Sequence, residues 1–193
     1  MAQLFFKYGV MGSAKTAELI ITAHRYEEIG KKVLIFKPDC DTRDGKDVIK
    51  SRIGASVKCH LMSEFDSFLN VGLLKNVECV LIDEAQFLTE KQVDSLYKMV
   101  HGFHIPVICY GLKTDFSGKL FEGSKRLLEI ADKISEIKNI CPCGRKAIFS
   151  ARANEDGEIV KTGEQIQIGY DYIPVCSFHY YLGVVPDYDK IKK

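Results

Sequence analysis

The chain lacks any segment approaching the ~18 consecutive apolar residues that a membrane-spanning helix requires, and residues 1–10 hold no basic stretch followed by an apolar one. Neither a transmembrane span nor a secretory signal is expected, and a cytoplasmic protein is. A basic excess is also missing. The formal net charge of +1 argues against general binding to nucleic acid or a membrane surface, though it leaves a local basic site open. There is no internal repeat and no low-complexity tract. Seven cysteines, an odd number in a cytosolic-looking chain, speak against a disulfide framework. Two of them, Cys79 and Cys109, sit in strand-like runs, where burial as small apolar residues explains them. What is present is a globular composition, 46% hydrophobic and 27% charged over 193 residues. That suffices for one domain of ordinary size with a small appendage, and for a core that needs no covalent staple.

Short apolar runs over residues 3–8, 32–36, 78–83 and 105–112 predict buried strands. Ala17, Leu19, Ile20, Ala23 and Ile29 recur near helical spacing, with Gly30 as a stop. Further helices are expected from Ser63, with Phe65, Phe68 and Leu69 on one face, over 90–100 behind a Thr89 cap, and over 123–131. One more strand is expected within 131–140. Strands alternating with helices imply βαβ units and a parallel sheet covered on both faces. Residues 39–51 are polar, charged and aperiodic, and read as a mobile loop. After Cys141 the texture changes. Asp156-Gly157 and Thr162-Gly163 are turn signals without a long helix nearby, so a hairpin-and-loop module follows. A boundary near Ile140 divides the chain into residues 1–140, a nucleotide-binding α/β domain, and 141–193, a smaller second domain. Residues 186–193 read as a loosely ordered tail.

Gly9-Val10-Met11-Gly12-Ser13-Ala14-Lys15-Thr16 follows the first strand and opens the first helix. It matches the phosphate-loop pattern G-x-x-x-x-G-K-[ST] except that Ala14 stands for the second glycine. Such a loop curls its N–H groups around phosphates at a helix N-terminus. Lys15 would reach the β- and γ-phosphates of ATP, and the Thr16 hydroxyl would join a Mg²⁺ shell. If position 14 needs a positive φ, alanine there costs on the order of 1 kcal/mol. The third strand ends in Asp83-Glu84-Ala85-Gln86-Phe87. An acidic strand end beside the phosphate loop suits a magnesium ligand at Asp83, direct or through water, and a proton acceptor at Glu84.

These two motifs together closely resemble the cytosolic, zinc-containing (type II) thymidine kinases. Further segments agree in the same order: Phe36-Lys37-Pro38 with Asp41-Thr42-Arg43, Ser51-Arg52-x-Gly54, Tyr110-Gly111-Leu112 with Phe116 and Phe121, and Tyr172-x-Pro174-Val175-Cys176-x-x-His179. The resemblance runs from about residue 3 to 180. It implies a P-loop NTPase-type parallel sheet flanked by helices, plus a small zinc-ribbon-like domain with a lasso loop. It implies transfer of the ATP γ-phosphate to the 5′-hydroxyl of deoxythymidine, with Glu84 as catalytic base and Arg43 as a basic group near the phosphates. Thr16 and Asp83 match the Mg²⁺ region, and residues 9–16 and 83–86, including Ala85 and Gln86, the nucleotide side. Met11, Phe87, Leu112, Phe116 and Phe121 match the walls around the base. Ser150, Gly169 and Tyr172 match the lasso that closes over thymine. From the residues alone the aromatics could equally be core, except that Phe116 lies in a polar stretch that favours a lid. A homotetramer is also implied. Inhibition by dTTP, and selectivity among thymidine, deoxyuridine and analogues, stay open.

Cys141-Pro142-Cys143 and Cys176-Ser177-Phe178-His179 form two half-sites. Three thiolates and one imidazole make a closed, structural Zn²⁺ tetrahedron, tying the intervening loop at both ends. The first pair is C-x-C, where the family usually has C-x-x-C, and the shorter bite is a departure. Two rival classes remain at this point: a P-loop ATPase that does not phosphorylate nucleosides, and an ATPase fused to a zinc-ribbon module for nucleic acid, the latter disfavoured by the neutral charge.

Overall fold

The computed structural model describes residues 1–69, 73–164 and 172–191. Its first unit is built from β1 (Leu4–Tyr8), α1 (Lys15–Glu28), β2 (Lys32–Lys37), β3 (Val48–Lys50), β4 (Ser56–Lys58), β5 (His60–Leu61), α2 (Phe65–Phe68), β6 (Val77–Ile82), α3 (Glu90–Phe103), β7 (Val107–Gly111), α4 (Glu122–Ile130) and β8 (Lys133–Glu136). Six of these strands form one sheet in the order β5-β2-β6-β7-β1-β8, and every pairing in it is parallel.

Strand periodicity explains why both faces are covered. Successive side chains point to opposite sides. Val80 and Ile82 of β6 join Leu4 and Phe6 of β1 in the core under α3 and α4, with Leu96, Met99 and Leu127. The alternate residues Cys79 and Leu81 join Leu19 and Ala23 of α1 on the other face. Helix α3 starts where expected: Thr89 accepts from the Gln92 N–H, and the Gln92 side chain accepts from the Thr89 N–H, a reciprocal capping box.

A second, three-stranded antiparallel sheet follows. It comprises β9 (Phe149–Ala153), β10 (Ile159–Val160) and β11 (Tyr172–Val175), with β9 in the centre. The short helices α5 (Ser177–Leu182) and α6 (Tyr188–Ile191) complete the described chain. Ala151, Ala153, Ile173 and Val175 form its core, which also takes in Val10 of the phosphate loop. The small sheet is therefore packed on the loop rather than hung from the larger sheet.

Three expectations are corrected. The segment 39–51 is not wholly a loop, because its end forms β3, paired antiparallel with β4. It is anchored by Lys37, only 1% exposed, whose Nζ donates to the Gly45 and Val48 carbonyls at 2.6 and 2.9 Å. Phe116 is buried rather than on an open lid. The tail is ordered at Tyr188, whose ring packs on Gly157: a Cβ there would lie 2.9 Å from the ring, and φ is +78°, so only glycine closes that turn.

Candidate active site and metal centre

The phosphate loop is shaped by residues that can take unusual backbone angles. A Cβ on Gly9 would sit 2.3 Å from Ser13 Oγ and 2.6 Å from the Ile137 carbonyl, so the first glycine is a steric necessity. Gly12 has φ +72°. Ala14, the residue that stands for the second glycine, has φ 61° and ψ 23°, a left-handed conformation in which its methyl is strained. Lys15 is buried, and its Nζ donates to the Val10 carbonyl at 2.8 Å and the Gly9 carbonyl at 3.3 Å. Burial pulls the Lys15 amine below the usual lysine range, against the attraction of Glu84 and Asp83.

The acidic end of β6 meets this loop across β7. Thr16 Oγ1 donates to Asp83 Oδ2 at 3.0 Å. Asp83 is 3% exposed. Burial, and then the neighbouring Glu84 charge, push its carboxyl up to about 7, so it needs a cation to be comfortable as an anion. Glu84 lies in the left-handed region at φ 48° and ψ 37°, strain of the kind stored at working sites. One of its oxygens accepts from Arg43 Nη2 at 2.6 Å and the other from Gln86 Nε2 at 2.5 Å. Gln86 is buried, and its Oε1 accepts from the Leu112 N–H at 2.9 Å. Arg43 also donates through Nε to Asp41 at 2.8 Å. That hydrogen bond, and next the Glu84 charge, raise the guanidinium's already high pKa despite its partial burial.

The expected walls lie nearby. Phe87 and Phe121 meet edge-on at 5.6 Å. Phe116 is covered by the Arg152 guanidinium, 3.6 Å from its ring centroid, and its carbonyl accepts from Tyr180 Oη at 2.9 Å. Arg152, 1% exposed, also donates to the Thr162 carbonyl at 2.7 Å. Ser150 is buried and its Oγ accepts from the Met11 N–H at 2.9 Å. The Met11 carbonyl accepts from Asn139 Nδ2 at 3.1 Å. Met11 is thus pinned to β9 by its amide and to the end of the larger sheet by its carbonyl. Tyr172, half-buried, opens β11 opposite Arg152, and Gly169 lies outside the described residues. Lys37, Arg52, Asn139 and Arg152 were given no role by sequence; a buried lysine or arginine leaves no periodic signal.

Cys141, Cys143, Cys176 and His179 bring their ligand atoms within 4.8 Å of one another. Cys141 and Cys143 sulfurs are 3.4 Å apart, Cys143 and Cys176 3.8 Å, and His179 Nδ1 lies 3.3 Å from Cys176 and 3.7 Å from Cys141. A tetrahedron with Zn–S bonds of ~2.3 Å has edges of about 3.8 Å, so the donor set fits zinc despite the C-x-C spacing. Burial works against the Cys176 thiolate, but hydrogen bonds from His179, Cys143 and Cys141 outweigh it and draw the group down to about 6. A thiol ready to ionise suits a metal ligand.

A phosphate loop joined to an acidic strand end on a parallel sheet, with a Cys₃His cluster on a second sheet, defines a P-loop nucleotide-binding protein with a zinc-compatible appendage. The family model for thymidine kinase matches residues 2–180, and the chain belongs to that family. It is 46% identical over 185 residues to the thymidine kinase of Enterobacteria phage T4, covering 93% of this chain and 96% of the relative. It is 48% identical over 186 residues to that of Streptococcus pyogenes serotype M28 (strain MGAS6180), covering 94% and 98%. The Yersinia pestis thymidine kinase is 44% identical over 186 residues, covering 93% and 95%. The resemblance read from the motifs is borne out.

Proposed function

We propose that the chain is an ATP-dependent thymidine kinase that moves the γ-phosphate of ATP to the 5′-hydroxyl of deoxythymidine, giving dTMP. The observation that carries this is the clamped carboxylate at the end of β6. Glu84 is held on both oxygens, by Arg43 and Gln86, immediately after the aspartate that bonds Thr16 of the phosphate loop. A carboxylate oriented there can take the proton of an attacking alcohol. Phosphoryl transfer needs mainly alignment and charge neutralisation. The loop N–H groups of residues 9–14 and Lys15 hold the polyphosphate, Lys15 exchanging the Gly9 and Val10 carbonyls for phosphate oxygens. Thr16 and Asp83 would hold Mg²⁺, which supplies charge neutralisation on the phosphates. Arg43 orients Glu84, and Gln86 ties the same carboxylate to Leu112 at the edge of the base pocket. Met11, Leu112, Phe87, Phe116 and Phe121 wall the thymine, and Ser150, Gly169 and Tyr172 are its lasso contacts.

The zinc-compatible cluster staples the chain on either side of those lasso contacts. The chain divides near Ile140 into the nucleotide-binding unit and the stapled unit. The family resemblance also supports a homotetramer in the cytoplasm, and dTTP is the natural candidate for feedback control. The test is a panel of nucleosides with γ-labelled ATP and Mg²⁺. Labelled dTMP should form with thymidine and not with purine nucleosides. ATP hydrolysis of equal rate with and without thymidine would instead make the chain an ATPase.

A further inference from the structure

Arg43 and Arg52 stand near the phosphate loop in opposite electrostatic situations. Arg43 is committed to Asp41 and Glu84; one guanidinium against two carboxylates leaves that trio net negative, so it offers little to an incoming polyphosphate. Arg52 has no hydrogen-bond or ion-pair partner among the described residues. It stands in the turn joining β3 to β4, whose shape is fixed from within. The Ser51 N–H donates to the Ala55 carbonyl at 2.8 Å, the Gly54 N–H to the Ser51 carbonyl at 3.0 Å, and Ser51 Oγ to the Ala55 carbonyl at 3.1 Å. The turn aims Arg52 at the middle of the loop: Nη1 lies 3.8 Å from the point that a Cβ on Gly12 would occupy, and Asn139 Nδ2 lies 3.6 Å from the same point.

An exposed guanidinium standing over Gly12 of a phosphate loop, with Lys15 in the same loop, is a convergence of like charge. An anion placed between the two cations would relieve their repulsion. The planar fork of Arg52 matches the spacing of phosphate oxygens. Arg52 is among the charges that depress Lys15, which places the two within electrostatic reach. Resting on the reading of this site as a nucleoside kinase, we infer that Arg52 is a phosphate-contacting residue, which reaches over Gly12 to the polyphosphate of the bound nucleotide and supplies the positive charge that Arg43 spends on Glu84. The hairpin β3–β4 is then part of the nucleotide site, although the sequence reads it as loop.

The test compares wild-type protein, zinc-loaded and full-length, with Arg52→Ala, Arg52→Gln and Arg52→Lys. A non-hydrolysable ATP analogue with Mg²⁺ is titrated calorimetrically, and Tm and the KM for thymidine are measured alongside. Arg52→Ala and Arg52→Gln should weaken analogue binding by roughly 10- to 150-fold, the range for one hydrogen bond to a charged group. Arg52→Lys should recover part of it, with AMP binding, Tm and thymidine KM unchanged. Analogue affinity kept at the wild-type level in the folded Ala or Gln variant overturns the inference. So does a uniform loss of Tm and of both substrates, which would mark a structural turn residue. A wild-type protein that binds the analogue yet leaves thymidine untouched sinks the kinase reading while the titration still judges Arg52.

Discussion

Replacing Ala14, the N-cap of α1, by glycine should stabilise the protein, although glycine inside a helix does the reverse. Ala14 sits at φ 61° and ψ 23°, where an L-residue with a Cβ is disfavoured by about 1–2 kcal/mol. Glycine removes that penalty but loosens the unfolded chain by about 0.4–1 kcal/mol. Because the Ala14 side chain is exposed, no packing is lost, and the net gain should be about 0.5–1 kcal/mol. For a chain of this size, each kcal/mol moves Tm by about 2–4 °C, so Ala14→Gly should melt about 1–4 °C higher. Ala14→Val should melt lower, since a β-branched residue tolerates the left-handed region least. Melting curves followed by circular dichroism, without nucleotide, read both variants. A clear fall in Tm for Ala14→Gly would mean that the loop does not hold position 14 at positive φ, and the strain argument would fail.

Stripping zinc with a chelator should raise the KM for thymidine before it weakens ATP-analogue binding, because the cluster joins Cys141 and Cys143 to Cys176 and His179, on either side of the residues proposed to contact the base. Parallel titrations of the two substrates check this, and equal losses would contradict it. Asp83 gives a pH signature without metal. Its folded-state carboxyl is raised to about 7 from 3.8, so its stabilising contribution is complete below about pH 4 and is lost as pH rises through about 7. Asp83→Asn should therefore gain stability over wild type at pH 8 and lose that advantage near pH 4, read from urea midpoints; added Mg²⁺ should narrow the gap at pH 8. Gly157→Ala should lower stability by roughly 1–3 kcal/mol, since it combines positive φ with a Cβ 2.9 Å from the Tyr188 ring; an unchanged Tm would show that α6 does not pack there.

Four strands of the larger sheet, β1, β2, β6 and β7, were legible because each is a short apolar run, and α3 because Thr89 and Gln92 spell out a capping box. The two edge strands show no such run, since β5 is two residues long and β8, expected only as a strand somewhere within 131–140, is largely exposed. The β3–β4 hairpin was not, since its strands are three residues each and flanked by charge. Strand order left no trace in the sequence either: no local pattern says that β7 separates β1 from β6. The phosphate loop and the Asp83-Glu84 pair were plain as residue types at a spacing. Their backbone strain was not, because alanine and glutamate at positive φ carry no compositional mark. Arg43 was read as a charge near the phosphates, yet its two carboxylate partners come from its own loop and from β6. Ser150 was read as a residue of the base-closing loop, whereas its hydroxyl bonds the Met11 amide, a contact that depends on how two sheets meet.

Single-turnover transfer from γ-labelled ATP to thymidine, compared between wild type and Glu84→Gln with analogue binding measured in parallel, isolates the role of Glu84 as the base. Glutamine preserves the shape of the side chain but cannot take a proton. Transfer should slow by roughly 10²- to 10⁴-fold, the span of a lost general base, while the analogue binds as before. A Glu84→Gln enzyme that labels thymidine at the wild-type rate would contradict the account.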